Sequence, residues 1–162
     1  MSGKILDPDR LAATADSLRA QGRKLVLTNG CFDLLHAGHV RYLQRARALG
    51  DVLAVAINGD DSVRALKGGG RPLNSESDRA EIVAALACVD HVVIFPEVRV
   101  TRLIEKLRPA VYVKGGDYTP ASLHPEERAA LEKVGADIRI LPFEPGHSTS
   151  GLIERMRKLP CE

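Results

Sequence analysis

The sequence has few cysteines and no long apolar run. Cys31, Cys88 and Cys161 lie far apart along the chain and cannot all pair with one another. This usage favours a reducing compartment over a fold held by disulfides. No stretch approaches the ~20 apolar residues that a membrane-spanning helix needs, and no apolar run follows Met1. We therefore expect a cytoplasmic protein with no membrane partner.

The chain also lacks an excess of charge of either sign. Its 23 basic and 21 acidic residues give a formal net charge of +2, so the composition gives no reason to expect a nucleic-acid partner. With 162 residues, 44% of them hydrophobic, the chain is long enough to bury a single core. We predict a helical lead over residues 1–23 and one domain over residues 24–158.

Two common nucleotide-binding motifs are missing as well. No G-x-G-x-x-G follows the first predicted strand, and no G-x-x-x-x-G-K-[ST] occurs anywhere in the chain. Neither a dinucleotide-binding site nor a P-loop is therefore predicted.

Short apolar segments alternate with helical patterns along the chain. We predict strands at 24–28, 51–58, 90–95, 110–114 and 137–141, with helices at 8–21, 38–49, 60–66, 75–87, 100–107, 125–134 and 148–158. Residues 51–58 are almost continuously apolar, which is typical of a parallel strand covered on both faces. The alternation predicts a three-layer α/β fold with a mainly parallel sheet of about five strands.

The most informative stretch is residues 25–39, where an apolar strand leads through small residues into a helix. Asn29 and Gly30 are expected to form a sharp turn close to a ligand. His36 and His39 share the first helical turn if the helix begins near Ala37. Free backbone N–H groups and the helix dipole favour an anion there, and imidazoles beside a triphosphate become good donors. We interpret this stretch as a nucleotide site.

Four segments in order resemble one known family. They are residues 28–33 with the His36/His39 pair, residues 66–72, residues 113–118 and residues 146–150. Together they resemble the H-x-G-H nucleotidyltransferase superfamily, which includes the cytidylyltransferases, and within it the adenylyltransferases that make ADP-heptose. The resemblance covers about residues 24–158, and it implies a single-domain Rossmann-like nucleotidyltransferase fold.

The resemblance also implies a reaction. AMP would pass from ATP to D-glycero-β-D-manno-heptose 1-phosphate, giving ADP-heptose and pyrophosphate for lipopolysaccharide core biosynthesis, with Mg²⁺ present. A homodimer is expected from the family. Because this chain carries no kinase domain, a separate heptose kinase is expected to supply the sugar 1-phosphate. The alternatives are a cytidylyltransferase acting on glycerol 3-phosphate or another alcohol phosphate, and a nucleotide-binding domain without catalysis.

The residue pattern and the resemblance together suggest roles for individual residues. None is predicted to ligate a metal directly, although Asp33 and Asp60 could instead bind a magnesium ion through water. The residues predicted to be catalytic are His36, His39 and Lys67. Those predicted to bind the nucleotide are Asn29, Gly30, Cys31, Phe32, Gly38, Arg79, Lys114, Gly115, Ser148 and Thr149. Those predicted to bind the sugar substrate are Asp33, Asp60 and Asp117.

Several of these assignments have plainer alternatives. Lys67 could be a solvated lysine of the glycine-rich loop, with Arg71 or Arg79 acting in its place. Helix capping would explain the two earlier aspartates and the serine-rich segment equally simply. A turn would explain residues 114–117.

Two further features of the sequence bear on the type of reaction. Phe143-Glu144 stand where glycerol phosphate cytidylyltransferases usually have Arg-Thr, which weakens that alternative. Cys31 lies in the site, but the proposed chemistry needs no covalent intermediate, so we assign it a backbone role only.

Overall fold

The computed structural model describes residues 3–116, 119–142 and 146–160. Its helices are α1 (Pro8–Ala20), α2 (Ala37–Arg47), α3 (Asp60–Lys67), α4 (Glu76–Ala84), α5 (Thr101–Leu107), α6 (Pro125–Val134) and α7 (Thr149–Arg157). Its strands are β1 (Leu25–Gly30), β2 (Val52–Asn58), β3 (His91–Phe95), β4 (Val111–Gly115) and β5 (Asp137–Leu141). A short 3₁₀ turn at Pro120–Ser122, which the sequence pattern did not predict, precedes α6.

All five strands form one parallel sheet in the order β3-β2-β1-β4-β5. β2 is buried along its whole length, as its continuous apolar sequence predicts for a strand covered on both faces. The prediction of an α/β fold with a parallel sheet of about five strands is confirmed.

Helices cover both faces of the sheet. On one face, α1, α5 and α6 pack against a cluster that includes Leu27, Ala56 and Tyr112. On the other face, α2 and α4 pack against residues that alternate with these, among them Val55 and Val113. Because successive side chains of a strand point to opposite faces, this division produces the predicted three layers.

Helix α1 shares the first of these core clusters, through Leu11, Ala15 and Leu18. The described helical lead therefore packs on the sheet. The division of the chain into a lead over residues 1–23 and a domain over residues 24–158 stays a prediction.

Local signals set several helix starts as predicted. Asp7 caps α1, accepting hydrogen bonds from the backbone N–H groups of Asp9 and Arg10. Ser75 caps α4, accepting from the N–H of Asp78. These side chains satisfy donors that have no partner within the helix, which explains why each helix begins where it does.

Strand β1 is longer than predicted, and the turn after it is placed differently. Pairing with β2 continues to Gly30 opposite Ile57, so Asn29 and Gly30 belong to the strand. The left-handed residue is Phe32, with a φ of 48°. Gly30 is needed for space, since a Cβ there would lie 3.0 Å from the Phe32 ring. The expectation of a turn at residues 29–30 is therefore corrected.

The strand order places a switch point at the centre of the sheet. From β1 the chain moves to β2 on one side, whereas β4 lies on the other side. The carboxyl ends of β1 and β4 consequently meet with no crossover helix filling the space between them, which is where ligands bind in open parallel sheets. In the described ranges, no helix is both long and apolar enough to cross a membrane.

Candidate active site

A cavity of about 420 Å³ opens at this switch point. The predicted site residues that line it are Asn29, Gly30, Cys31, Phe32, His36, Gly38, His39, Lys67, Lys114, Gly115, Ser148 and Thr149. They come from the end of β1, the start of α2, the end of α3, the end of β4 and the start of α7. The fold thus brings together segments more than a hundred residues apart in sequence.

The two histidines stand at the beginning of α2. His36 is the N-cap and His39 lies in the first turn, with ring centroids 3.9 Å apart and planes inclined by 28°. The backbone N–H of His36 donates to Nδ1 of His39 at 3.4 Å. Because Nδ1 of His39 accepts, Nε2 carries the proton of the neutral ring and remains a donor for a ligand.

Burial keeps both imidazoles neutral before a ligand binds. It lowers the pKa of His39 to about 4, with a further contribution from His36. The pKa of His36 is also lowered, first by burial and then by the charge of His147. Nδ1 of His36 is buried and has no hydrogen-bond partner among the described residues. A bound polyanion would favour the charged forms of these rings and raise both pKa values.

Gly38 lets the first turn of α2 pass beneath the histidines. A Cβ at this position would lie 2.9 Å from Nδ1 of His36 and 2.9 Å from Cβ of His147. Real Cβ atoms do not come so close to heavy atoms, so any side chain here would displace one of the rings. The glycine between the two histidines is therefore a packing requirement of the site.

A second helix N-terminus faces the same cavity. Ser148 caps α7, and its Oγ accepts a hydrogen bond from the N–H of Gly151 at 3.0 Å. The hydroxyl of Thr149 donates to the carbonyl of Leu34 at 3.3 Å, which ties α7 to the loop before α2. Two helix dipoles thus converge on one cavity, and this arrangement favours an anion.

Lys67 is the last residue of α3 and lines the cavity. It is exposed, and the glycines that follow it leave open space around their backbone. Its ammonium group can therefore reach a ligand without disturbing the core. Its predicted role in catalysis stays a prediction.

The other side of the cavity is formed by the end of β4. Nζ of Lys114 donates to Oδ1 of Asn29 at 3.3 Å, and the Tyr112 hydroxyl donates to the same oxygen at 2.6 Å. At Gly115 a Cβ would lie 3.1 Å from the Tyr42 ring. The backbone of β4 therefore lies directly against α2.

Arg79 does not contact the cavity. Its side chain is 0% exposed and donates to the carbonyls of Cys31 and Asn74 at 2.6 and 3.1 Å and to Asp60 at 2.8 Å. The guanidinium therefore holds the loop after β1 in place from the protein interior, on the side away from the cavity. Its donors point to protein acceptors and not into the cavity, so this placement does not support a contact with the nucleotide, which stays a prediction.

Asp33 is likewise engaged inside the protein. Its side chain is 1% exposed and accepts from Nε of Arg71 at 2.6 Å and from the N–H groups of Leu73 and Asn74 at 2.9 Å. Burial alone would raise its pKa, but these donors lower it below the ordinary value. Asp33 thus anchors the loop before α4, and its contact with the sugar stays a prediction.

The remaining predictions concern Asp60, Asp117, the departure at Phe143-Glu144, and Cys31. Asp60 pairs with Arg79 and keeps 26% of its side chain exposed; it does not line the cavity, and its contact with substrate stays a prediction. Asp117 and the departure at Phe143-Glu144 lie outside the described residues. Burial raises the pKa of the Cys31 thiol, which fits the prediction that it is not a nucleophile.

The sequence interpretation omitted three residues that line the cavity, namely Tyr42, Arg45 and Pro142. His147 and Ser150 also line it, and they belong to the segment 146–150 that the sequence pointed to. Tyr42 follows His39 by one helical turn, so helical spacing from the histidines was a usable signal for it. Its hydroxyl contacts Oγ1 of Thr28 at 2.7 Å and donates to the carbonyl of Val113 at 3.2 Å. Burial raises the pKa of Tyr42 to about 12.

Relatives with similar sequences cover nearly all of this chain. It is 53% identical over 154 residues to the bifunctional protein HldE of Geotalea uraniireducens, covering 95% of this chain and 31% of that protein. It is 50% identical over 153 residues to HldE of Geobacter metallireducens, and this match covers 94% of this chain and 31% of that protein. The chain therefore spans about a third of the length of these curated relatives.

Solved structures show the same architecture. A lipopolysaccharide core biosynthesis protein from Thermoplasma volcanium matches with a TM-score of 0.61 and 27% identity, over 76% of this chain and 98% of that one. A second match, with a TM-score of 0.61, is a pantoate-beta-alanine ligase from Francisella tularensis in complex with an ATP compound and beta-alanine. It covers 96% of this chain and 73% of that one. At 17% identity, this second match shows the fold alone.

A family model supplies the remaining evidence and confirms the predicted superfamily. The model for the cytidylyltransferase-like family matches residues 27–155, which include both histidines and the start of α7. The chain belongs to the cytidylyltransferase-like family.

Proposed function

We propose that the chain transfers AMP from ATP to D-glycero-β-D-manno-heptose 1-phosphate, releasing pyrophosphate. The family supports a nucleotidyltransferase. The similarity to a lipopolysaccharide core biosynthesis protein and to bifunctional HldE proteins supports the heptose substrate. The choice of substrate thus rests on the similarity to these proteins, and the chemistry rests on the geometry of the site.

The observation that carries the chemistry is the stacked pair of His36 and His39 at the α2 N-terminus, facing the cavity. Two neutral imidazoles at the positive end of a helix dipole are a poor site for a cation and a good one for phosphate oxygens. The N-terminus of α7 adds donors beside this pair, since the ring of His147 lies 6.0 Å from that of His36. This combination fits a triphosphate.

The reaction needs positioning more than proton transfer. An oxygen of the sugar phosphate attacks the α-phosphorus of ATP and forms a new P–O bond, while the bond to the bridging oxygen of the β-phosphate breaks. That electron pair leaves with pyrophosphate. A phosphate monoester has a second pKa of about 6, so the nucleophile is already ionised near neutral pH. No general base is required.

The residues of the cavity have distinct parts in this step. His36 and His39 donate hydrogen bonds to the phosphate chain as charge moves to the departing pyrophosphate, which strengthens those bonds in the transition state. Lys67 offers a cation from the glycine-rich loop. The hydroxyl of Ser148 and the free backbone N–H groups at the start of α7, including that of Thr149, hold the pyrophosphate.

Magnesium enters this scheme with the nucleotide. Among the described residues, no three His, Cys, Asp or Glu side chains cluster as a metal site would require. The carboxylate of Asp33 is already satisfied by protein donors. Mg²⁺ is commonly held by substrate phosphates and water with little protein ligation, so MgATP is the proposed substrate.

Further parts of the proposal come from resemblance and composition. We propose a homodimer located in the cytoplasm. We also propose that a separate kinase makes the sugar 1-phosphate, although the relatives that cover this chain are themselves called bifunctional. Size-exclusion chromatography with light scattering tests whether the chain is a homodimer.

The direct test measures pyrophosphate release with each of the four nucleoside triphosphates and a panel of acceptors. The panel holds heptose 1-phosphate, glucose 1-phosphate and glycerol 3-phosphate. We expect release with ATP and heptose 1-phosphate, and mass spectrometry should detect ADP-heptose. Preference for CTP with glycerol 3-phosphate would instead make the chain a cytidylyltransferase. Tight ATP binding with no release for any acceptor would contradict catalysis.

A further inference from the structure

Lys114 occupies a distinctive position in the cavity. It lies near the carboxyl end of β4, half-buried, with Nζ 3.3 Å from Oδ1 of Asn29. That oxygen also accepts from the Tyr112 hydroxyl at 2.6 Å. Because the tyrosine hydroxyl fixes the amide, the amide oxygen orients the ammonium group, while both Asn29 and Lys114 remain in the cavity lining.

Lys114 and the histidines lie on opposite sides of the sheet. Tyr112 packs in the core cluster shared with α1, α5 and α6, and Lys114, two residues later, points toward the same face. The histidines begin α2, which packs on the other face. The end of the sheet therefore separates this cation from the imidazole pair, with the cavity spanning both.

This separation matches the geometry of phosphoryl transfer. The attacking and leaving oxygens stand roughly in line on opposite sides of the phosphorus. If the pyrophosphate leaves toward the histidines and α7, the acceptor must approach from the opposite side. We propose that Lys114, oriented by Asn29, binds the attacking phosphate of the sugar substrate. This inference rests on the proposed function and assigns the acceptor half of the same site.

The surroundings of Lys114 suit a phosphate that must be held but also released as product. Burial lowers the pKa of Lys114, and Arg99, in the loop before α5, lowers it further. Glu127 on α6, 5% exposed, and Cys31 after β1 act in the opposite direction. A partly desolvated ammonium interacts more strongly with a dianion than a lysine in bulk water does.

The test compares Lys114→Met and Lys114→Arg with the wild-type chain. The matched control is Lys133→Met, whose exposed ammonium pairs with Glu105 on the surface, away from the cavity lining. Pyrophosphate release is measured with heptose 1-phosphate varied at saturating MgATP, and then with MgATP varied. Titration calorimetry with a non-hydrolysable ATP analogue gives nucleotide affinity without turnover, and circular dichroism checks folding.

We expect Lys114→Met to raise KM for heptose 1-phosphate about 10- to 100-fold, the usual effect of losing a charged hydrogen bond. The affinity for the ATP analogue should stay within about twofold, and Lys114→Arg should recover part of the loss. Lys133→Met should behave as wild type. If Lys114→Met fails to fold, Lys114→Gln with the same two readouts replaces it.

Two results would overturn the inference. One is an equal loss of nucleotide affinity in Lys114→Met, which would assign the lysine to ATP. The other is an unchanged KM for the sugar phosphate. Both differ from a failure of the proposed function, which would show as no pyrophosphate release by the wild-type chain with any sugar phosphate.

Discussion

The imidazole of His36 stacks on that of His39, with ring centroids 3.9 Å apart and the two planes inclined by 28°. Stacking two neutral rings is favourable, whereas stacking two imidazolium rings is not, so the contact itself favours the uncharged pair. The lowered pKa values of both residues agree with this. The site is thus prepared to gain positive charge only when phosphate arrives.

Replacing either histidine should impair turnover. His36→Ala and His39→Ala are each expected to lower kcat by about 100-fold, the scale for losing a donor to developing negative charge. Pyrophosphate release at saturating substrates measures this. His124→Ala, which alters the N-cap of α6 outside the cavity lining, is the control and should retain wild-type kcat. Near-wild-type kcat in both cavity variants would contradict the mechanism.

Acid should destabilise the protein partly through His39. Its pKa is about 4 when folded, against an ordinary value of 6.5, so between these pH values the unfolded chain binds more protons than the folded chain. The free energy of unfolding therefore falls as the pH drops through this window. The stabilising contribution of the neutral His39 ring is fully present above pH 6.5. Partial exposure of the ring limits the effect of this residue to the order of 1 kcal/mol.

Urea unfolding of wild type and His39→Gln at pH 7.5, 6 and 5 tests this dependence. The wild-type chain should lose more stability than the variant between the first and last pH. A parallel decline in both proteins would show that other groups cause the acid sensitivity.

A methyl group at Gly38 should disrupt the site more than the fold. Gly38→Ala places a Cβ 2.9 Å from Nδ1 of His36, so the ring must move, and kcat/KM should fall at least about 10-fold. Gly69→Ala is the matched control, because its Cβ meets nothing within 4 Å. Steady-state kinetics measures both variants, and equal activities would argue against a positional role for Gly38.

Loss of the Arg79 guanidinium should lower stability strongly. Arg79→Met leaves the carbonyl of Cys31 and the carboxylate of Asp60 without their buried donor, and we expect a loss of about 3 kcal/mol in the free energy of unfolding. Arg64→Met removes an exposed ion pair with Asp61 and should change stability by less than about 0.5 kcal/mol. Urea unfolding measures both; similar values would contradict a structural role for Arg79.

Much of the fold could be predicted because its signals are local. Asp7 and Ser75 cap their helices as expected, and α6 and β5 begin and end at the predicted residues. Strand β1 was predicted to end too early, because pairing with β2 carries it through residues that favour turns when isolated. Pairing with a neighbouring strand can override the local preference for a turn. The spacing of apolar residues does not show which strand will be that neighbour.

The sequence by itself determined the succession of strands and helices along the chain, the parallel sheet, and the position of His36 and His39 at a helix start. It could do so because capping residues and apolar spacing act within a few residues. Tertiary structure alone decided that Arg79 and Asp33 face inward and that Pro142 lines the cavity. The direction of a charged side chain depends on which distant acceptors the fold brings within hydrogen-bond reach. Carbonyls such as that of Cys31, 48 residues from Arg79, have no signature in the sequence.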